Sequence, residues 1–148
     1  MDQSQSHPST VSVNGRTYAW PSQPLVVVCI DGSEPDYIEQ AIAGGHMPFL
    51  ENALKGGSDL RADCVVPSFT NPNNLSIVTG VPPKVHGISG NFFLDPDTGD
   101  EVMMNDPAFL RCGTILAAFV EAGARVAVVT AKGKLRLQLG HGMRFGAG

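Results

Sequence analysis

The chain has 148 residues with a formal net charge of −4; 43% are hydrophobic and 16% charged. That balance supports a packed core and argues against global disorder. The absence of a basic run or basic face argues against nucleic acid as the main partner, and no apolar run approaches the length of a membrane span.

The first ten residues, MDQSQSHPST, have neither an apolar stretch nor arginine enrichment, so a mobile tail is expected there and not a targeting signal. Cys29, Cys64 and Cys112 are far apart and form no C-x-x-C pair, which suits a reducing, cytoplasmic setting. Cys29 stands in an apolar run and is expected to be a buried small hydrophobe. VSVNGRTY alternates around Asn14-Gly15, whose tolerance of positive φ predicts a tight hairpin. Residues 24–30, PLVVVCI, form a continuous β-branched run of the kind found in a parallel strand covered on both faces. Ser33 as cap, Pro35 in the first turn and Gly44-Gly45 at the end predict a helix, and MPFLENALKGG predicts a second.

LRADCVVP is the next expected strand, stopped by Pro67. Asn71 as N-cap and Pro72 at the first helical position then predict a helix through NNLSIVTG that stops at Gly80. NFFLDPDTGDEVMM predicts two strands around a turn. GTILAAFVEAG predicts a helix ended by Gly123, ARVAVVTA another buried strand, and KLRLQLG the start of a further helix. The order predicts an α/β chain with a mostly parallel sheet flanked by helices. Residues 1–22 are read as a tail with a small hairpin and residues 23–148 as the α/β part. The closing HGMRFGAG stands where such a fold would lay down its next strand, so a C-terminally truncated domain is expected.

Ligands of open α/β sheets bind beyond the carboxyl ends of the strands. Asp31 is the first polar residue after the strand expected at 24–30, and is either a metal ligand or half of an Asp-Gly turn. Thr70 precedes the expected cap, where free N–H groups and the helix dipole favour an anion; it is either a turn residue or a hydroxyl aimed at a bound phosphoryl group. Lys132 and Lys134 follow a strand two residues apart. In an extended segment both would point to one side and hold an anion; otherwise they are two solvated lysines. The four histidines, His7, His46, His86 and His141, do not cluster, and structural or exposed roles are expected of them.

VVVCIDGSEPDYIEQAIAGGHMPFL, VVPSFTNPNNLSIVTGVPPKVHGISGNFF and VAVVTAKGKLRLQLGHGM together resemble the alkaline phosphatase superfamily. The likeness is strongest to its phosphonoacetate hydrolase family. The related nucleotide pyrophosphatase/phosphodiesterases typically show Pro-Asn-His where this chain has Pro72-Asn73-Asn74. The resemblance implies a zinc-dependent hydrolysis of the carbon–phosphorus bond of phosphonoacetate through a phosphothreonine intermediate, with two zinc ions. It implies Asp31 as a zinc ligand, Thr70 as nucleophile and ligand of the same zinc, Asn91 on a phosphoryl oxygen, and Lys132 and Lys134 on the substrate carboxylate. Gly133 departs from the more polar residue expected between the lysines. The partner implied is a small phosphonate, with neither nucleic acid nor membrane, and a homodimer is compatible with it. The family's other zinc ligands are Asp and His residues from later segments. After Lys134 this sequence holds His141 as its only histidine and no carboxylate. The alternatives are a phosphodiesterase of the same superfamily and a non-catalytic fragment.

Overall fold

A computed structural model describes residues 7–144; Met1 to Ser6 of the expected tail, and the last four residues, lie outside the described part. The chain divides into two compact units, one formed by residues up to Pro24 together with those from Cys64 onward, the other by Leu25–Asp63.

In the first unit, β1 (Thr10–Val13) pairs antiparallel with β2 (Arg16–Ala19), Val13 opposite Arg16. Asn14 and Gly15 turn the chain at φ 52° and 75°, the left-handed conformation that Asn-Gly accepts at little cost. The Asn14 amide also donates to the carbonyls of Thr79 and Gly113, 2.8 Å each, so the turn is tied to the rest of its unit. Helix α3 (Thr70–Thr79) ends at Gly80, whose φ of 69° closes it with a left-handed cap. A short helix α4 (Pro83–His86), unforeseen in the sequence, starts within the Pro82-Pro83 pair, with Pro82 as its cap. β3 (Phe92–Leu94) and β4 (Glu101–Met103) form the expected second hairpin. Pro107–Phe109 make one 3₁₀ turn, capped by Asp106. Helix α5 (Ile115–Glu121) is capped by Thr114, whose hydroxyl accepts from the Ala117 N–H at 3.0 Å. Helix α6 (Gly133–Leu139) completes the unit.

The core of this unit is Leu75, Ile88, Met104, Leu110 and Leu135, with Val78, Phe93, Phe109 and Leu139 against it. It gathers α3, the segment before β3, the end of β4 and α6. At about 25 cal/mol per Å² of apolar area, each buried side chain of this size stabilises by roughly 1.5–3 kcal/mol.

The second unit holds α1 (Pro35–Ala43) and α2 (Pro48–Gly56). Each opens on a proline, which fixes φ and gives up an N–H that the first turn leaves unbonded in any case. Glu34, not Ser33, is the residue preceding α1, and its side chain makes no capping bond. Lys55 and Glu51 pair one turn apart at 2.7 Å, and Arg61 bonds Glu39 at 2.5 Å and Asp59 at 3.3 Å; these exposed pairs add little stability.

The three apolar runs expected as parallel strands differ from the expectation. Among the described residues, residues 24–30, 60–67 and 124–131 belong to no sheet, and the two sheets present are antiparallel hairpins. A strand is made by the neighbour that accepts its ladder bonds, and composition cannot supply that neighbour. Leu25, Val26, Val27, Val28 and Ile30 are accordingly 65–81% exposed. Cys29 in the same run is exposed, against the burial expected of it. No helix of the described residues is long and apolar enough to cross a membrane.

Candidate active site

Thr70 is the first residue of α3, and the preceding cap residue is Phe69, extended at φ −79° and ψ 151°. The helix therefore starts two residues before the sequence suggests, and the Thr70 hydroxyl stands on its first turn instead of ahead of it. The displaced cap, Asn71, is fully buried, and neither of its side-chain amide atoms has a hydrogen-bond partner among the described residues. Stabilising the start falls to Asn73. Its Nδ2 donates to the Phe69 carbonyl and its Oδ1 accepts from the Val65 N–H, both at 2.9 Å. One amide thus clasps both ends of the segment running into Thr70. Nothing in the sequence marks Asn73 over its neighbours, because Asn71, Asn73 and Asn74 are equal candidates for turn chemistry.

Behind this turn lies a buried relay. The His86 Nδ1 accepts from the Ile88 N–H at 3.1 Å, so the ring proton is on Nε2, 2.9 Å from Ser76 Oγ. Ser76 in turn donates to the Pro72 carbonyl at 2.8 Å. Burial holds the His86 pKa below the ordinary histidine value, so the ring is neutral and locks α4 to the first turns of α3. The structural role expected of this histidine is the one observed.

Lys134 Nζ is 3.3 Å from Asn91 Oδ1, both residues half-buried. Asn91 is held by its backbone, whose carbonyl accepts from the Met104 N–H at 2.8 Å. The extended spacing expected to align Lys132 with Lys134 is not formed. Helix α6 begins at Gly133, so Lys132 is its cap residue, exposed, while Lys134 lies inside the first turn. A residue with helical φ/ψ between them breaks the two-residue repeat that the alignment needed.

Asp31 lies in the second unit, exposed, beside Gly32 at φ 72°. Zinc sites usually take four donors. No group of three or more His, Cys, Asp or Glu among the described residues is placed to hold a metal. The described residues therefore do not fit a zinc ion by themselves.

The family model for type I phosphodiesterase / nucleotide pyrophosphatase matches residues 25–136, a stretch containing Asp31, Thr70, Asn91 and both lysines. The chain belongs to this family. Curated members share part of it. An ectonucleotide pyrophosphatase/phosphodiesterase of Caenorhabditis elegans is 37% identical over 83 residues, 54% of this chain and 10% of the relative. Family member 1 of Homo sapiens is 36% identical over 76 residues, 49% of this chain and 8% of the relative. Among solved structures, phosphonoacetate hydrolase from Sinorhizobium meliloti 1021 in complex with phosphonoacetate is 58% identical, with a TM-score of 0.87 over 95% of this chain. The same enzyme with phosphonoformate is 59% identical, with a TM-score of 0.87 over 96%. The alkaline-phosphatase-like fold expected from the sequence is thereby shown. The chain spans 34% of the length of those solved structures.

Proposed function

We propose that this chain carries the nucleophile and the substrate-holding residues of a hydrolase that splits the carbon–phosphorus bond of phosphonoacetate into acetate and phosphate. The observation that carries the reading is the meeting of Lys134 with Asn91 in a chain 58% identical to a phosphonoacetate-binding structure. A fixed ammonium and an amide suit a ligand that is anionic at both ends. Lys134, with Lys132 nearby in sequence, holds the carboxylate, and Asn91 donates from Nδ2 to a phosphoryl oxygen.

In the proposed reaction the Thr70 hydroxyl loses its proton, and its oxygen forms a bond to phosphorus as the phosphorus–carbon bond breaks. The electron pair passes to the acetate fragment as an enolate, where Lys134 offsets the charge developing on the carboxylate. The carbon then takes a proton, giving acetate. Water attacks phosphorus, the bond to Thr70 breaks, phosphate leaves and the hydroxyl recovers its proton. Zinc enters the proposal only as the resemblance implies it, with Asp31 and Thr70 each expected among its ligands.

A second reading, hydrolysis of a nucleotide or other phosphodiester, is favoured by the family model and the curated relatives. The test is phosphate release from phosphonoacetate beside nitrophenol release from a bis-nitrophenyl phosphodiester, each with zinc and with chelator, for the native chain and Thr70→Ala. Zinc-dependent phosphate release that Thr70→Ala abolishes would support the first reading. Activity on the diester alone would replace the first reading with the second. Absence of both, with no phosphonoacetate binding, would leave the chain non-catalytic.

A further inference from the structure

We propose that Gln138 is a positioning residue that sets the Lys134–Asn91 pair. The proposal deepens the functional reading, which takes that pair as the holder of the substrate.

Gln138 is fully buried on α6, a helix whose other buried residue is the core leucine Leu135. An apolar side chain would fill that space without a polar atom to satisfy. Gln138 instead donates from Nε2 to the Met104 carbonyl at 2.8 Å, and its Oε1 is buried without a partner among the described residues. A half-satisfied buried amide costs stability, so the bond it makes has to serve something besides burial.

What it serves is visible in the next bonds. The Met104 N–H donates to the Asn91 carbonyl at 2.8 Å, and Asn91 Oδ1 accepts from Lys134 at 3.3 Å. Lys134 stands one turn before Gln138, so the two side chains share a face of α6. The bonds close a ring: Gln138 to Met104, Met104 to Asn91, Asn91 to Lys134, and back along the helix to Gln138. Its weakest member is the long, half-exposed Lys134–Asn91 contact, and a contact of that length does not fix its own geometry. Its strong members are the two 2.8 Å bonds, of which only the one from Gln138 joins α6 to the β3–β4 hairpin. Leucines on the same face tolerate a small slide or roll of the helix, whereas a directional bond to one carbonyl does not. Gln138 therefore decides where the Lys134 ammonium stands relative to the Asn91 amide.

The test uses the full 148-residue chain, labelled for NMR, with Lys134→Met, Gln138→Met and Gln138→Glu. The last retains the shape but puts oxygen against the Met104 carbonyl. The Asn91 side-chain amide resonance is expected to move in Lys134→Met and in both Gln138 variants, while β1–β2 resonances stay in place. Phosphonoacetate affinity is expected to fall about tenfold in Gln138→Met, with inorganic phosphate binding changed less. An Asn91 side-chain resonance that answers to Lys134→Met but not to either Gln138 variant overturns the proposal. If Gln138→Met loses the folded spectrum, Gln138→Asn, one methylene short of the Met104 carbonyl, takes its place. A native chain that ignores phosphonoacetate while its Asn91 resonance answers to Gln138 would sink the functional reading and leave the positioning role standing.

Discussion

Lys134 Nζ and Asn91 Oδ1 meet at 3.3 Å although 43 positions separate the residues in the chain. The contact is made by two elements that share one core: Leu135 from α6, and on the other side Ile88, three residues before Asn91, with Met104, whose N–H bonds the Asn91 carbonyl. If this pair holds the carboxylated end of a phosphonate, Lys134→Met weakens phosphonoacetate binding by about 10- to 100-fold, since a hydrogen bond to a charged group is worth about 1.5–3 kcal/mol. Titration at two salt concentrations checks it. The native chain loses affinity as salt rises and the variant loses less. Lys132→Met, at an exposed cap position, has the smaller effect.

Asn73→Ala removes two hydrogen bonds, to the Phe69 carbonyl and from the Val65 N–H. The expected destabilisation is about 1–3 kcal/mol, measured by denaturant unfolding. The same change frees the segment ahead of Thr70, so amide exchange at residues 65–69 accelerates more than in α5. Equal exchange in the two regions would show that Asn73 does not hold the start of α3.

Asn71→Leu tests the opposite case. Both amide atoms of Asn71 are buried without partners among the described residues, so an apolar side chain of similar volume leaves stability unchanged or raises it. A rise in thermal midpoint is expected. A clear fall would mean that the amide has a partner on folding that the described residues do not provide.

The buried His86 ring gives a pH dependence with a definite sign. Its folded pKa is lowered, chiefly by burial, so between that value and the ordinary value of about 6.5 the unfolded chain binds the proton and the folded chain does not. Stability rises with pH through that window, is complete above about 6.5, and falls as the pH drops below it. Protonation would also cost the bond from the Ile88 N–H to Nδ1. Unfolding followed from pH 7.5 to 5 checks the slope. His86→Gln flattens the part due to this ring, and an unaltered slope would assign the dependence to other groups.

Local conformational preference determined a good part of this molecule from sequence alone. Asn14-Gly15 turned with positive φ, Gly80 closed a helix, and Pro35 opened one, because each depends on the residue's own backbone. The resemblance carried by the segments around Asp31, Thr70, Asn91 and Lys134 named the family that the comparisons then showed. What the sequence could not decide were relations between distant groups. Three β-branched runs read as strands, yet ladder bonds belong to pairs of segments, and these runs have none among the described residues. Asn71, Asn73 and Asn74 are chemically alike, and packing alone chose Asn73 to clasp the turn and buried Asn71. Gln138 reads as an ordinary helical residue until the fold sets it against the Met104 carbonyl. Propensity acts within a few residues, whereas a hydrogen bond between α6 and a hairpin exists only once the core between them has formed.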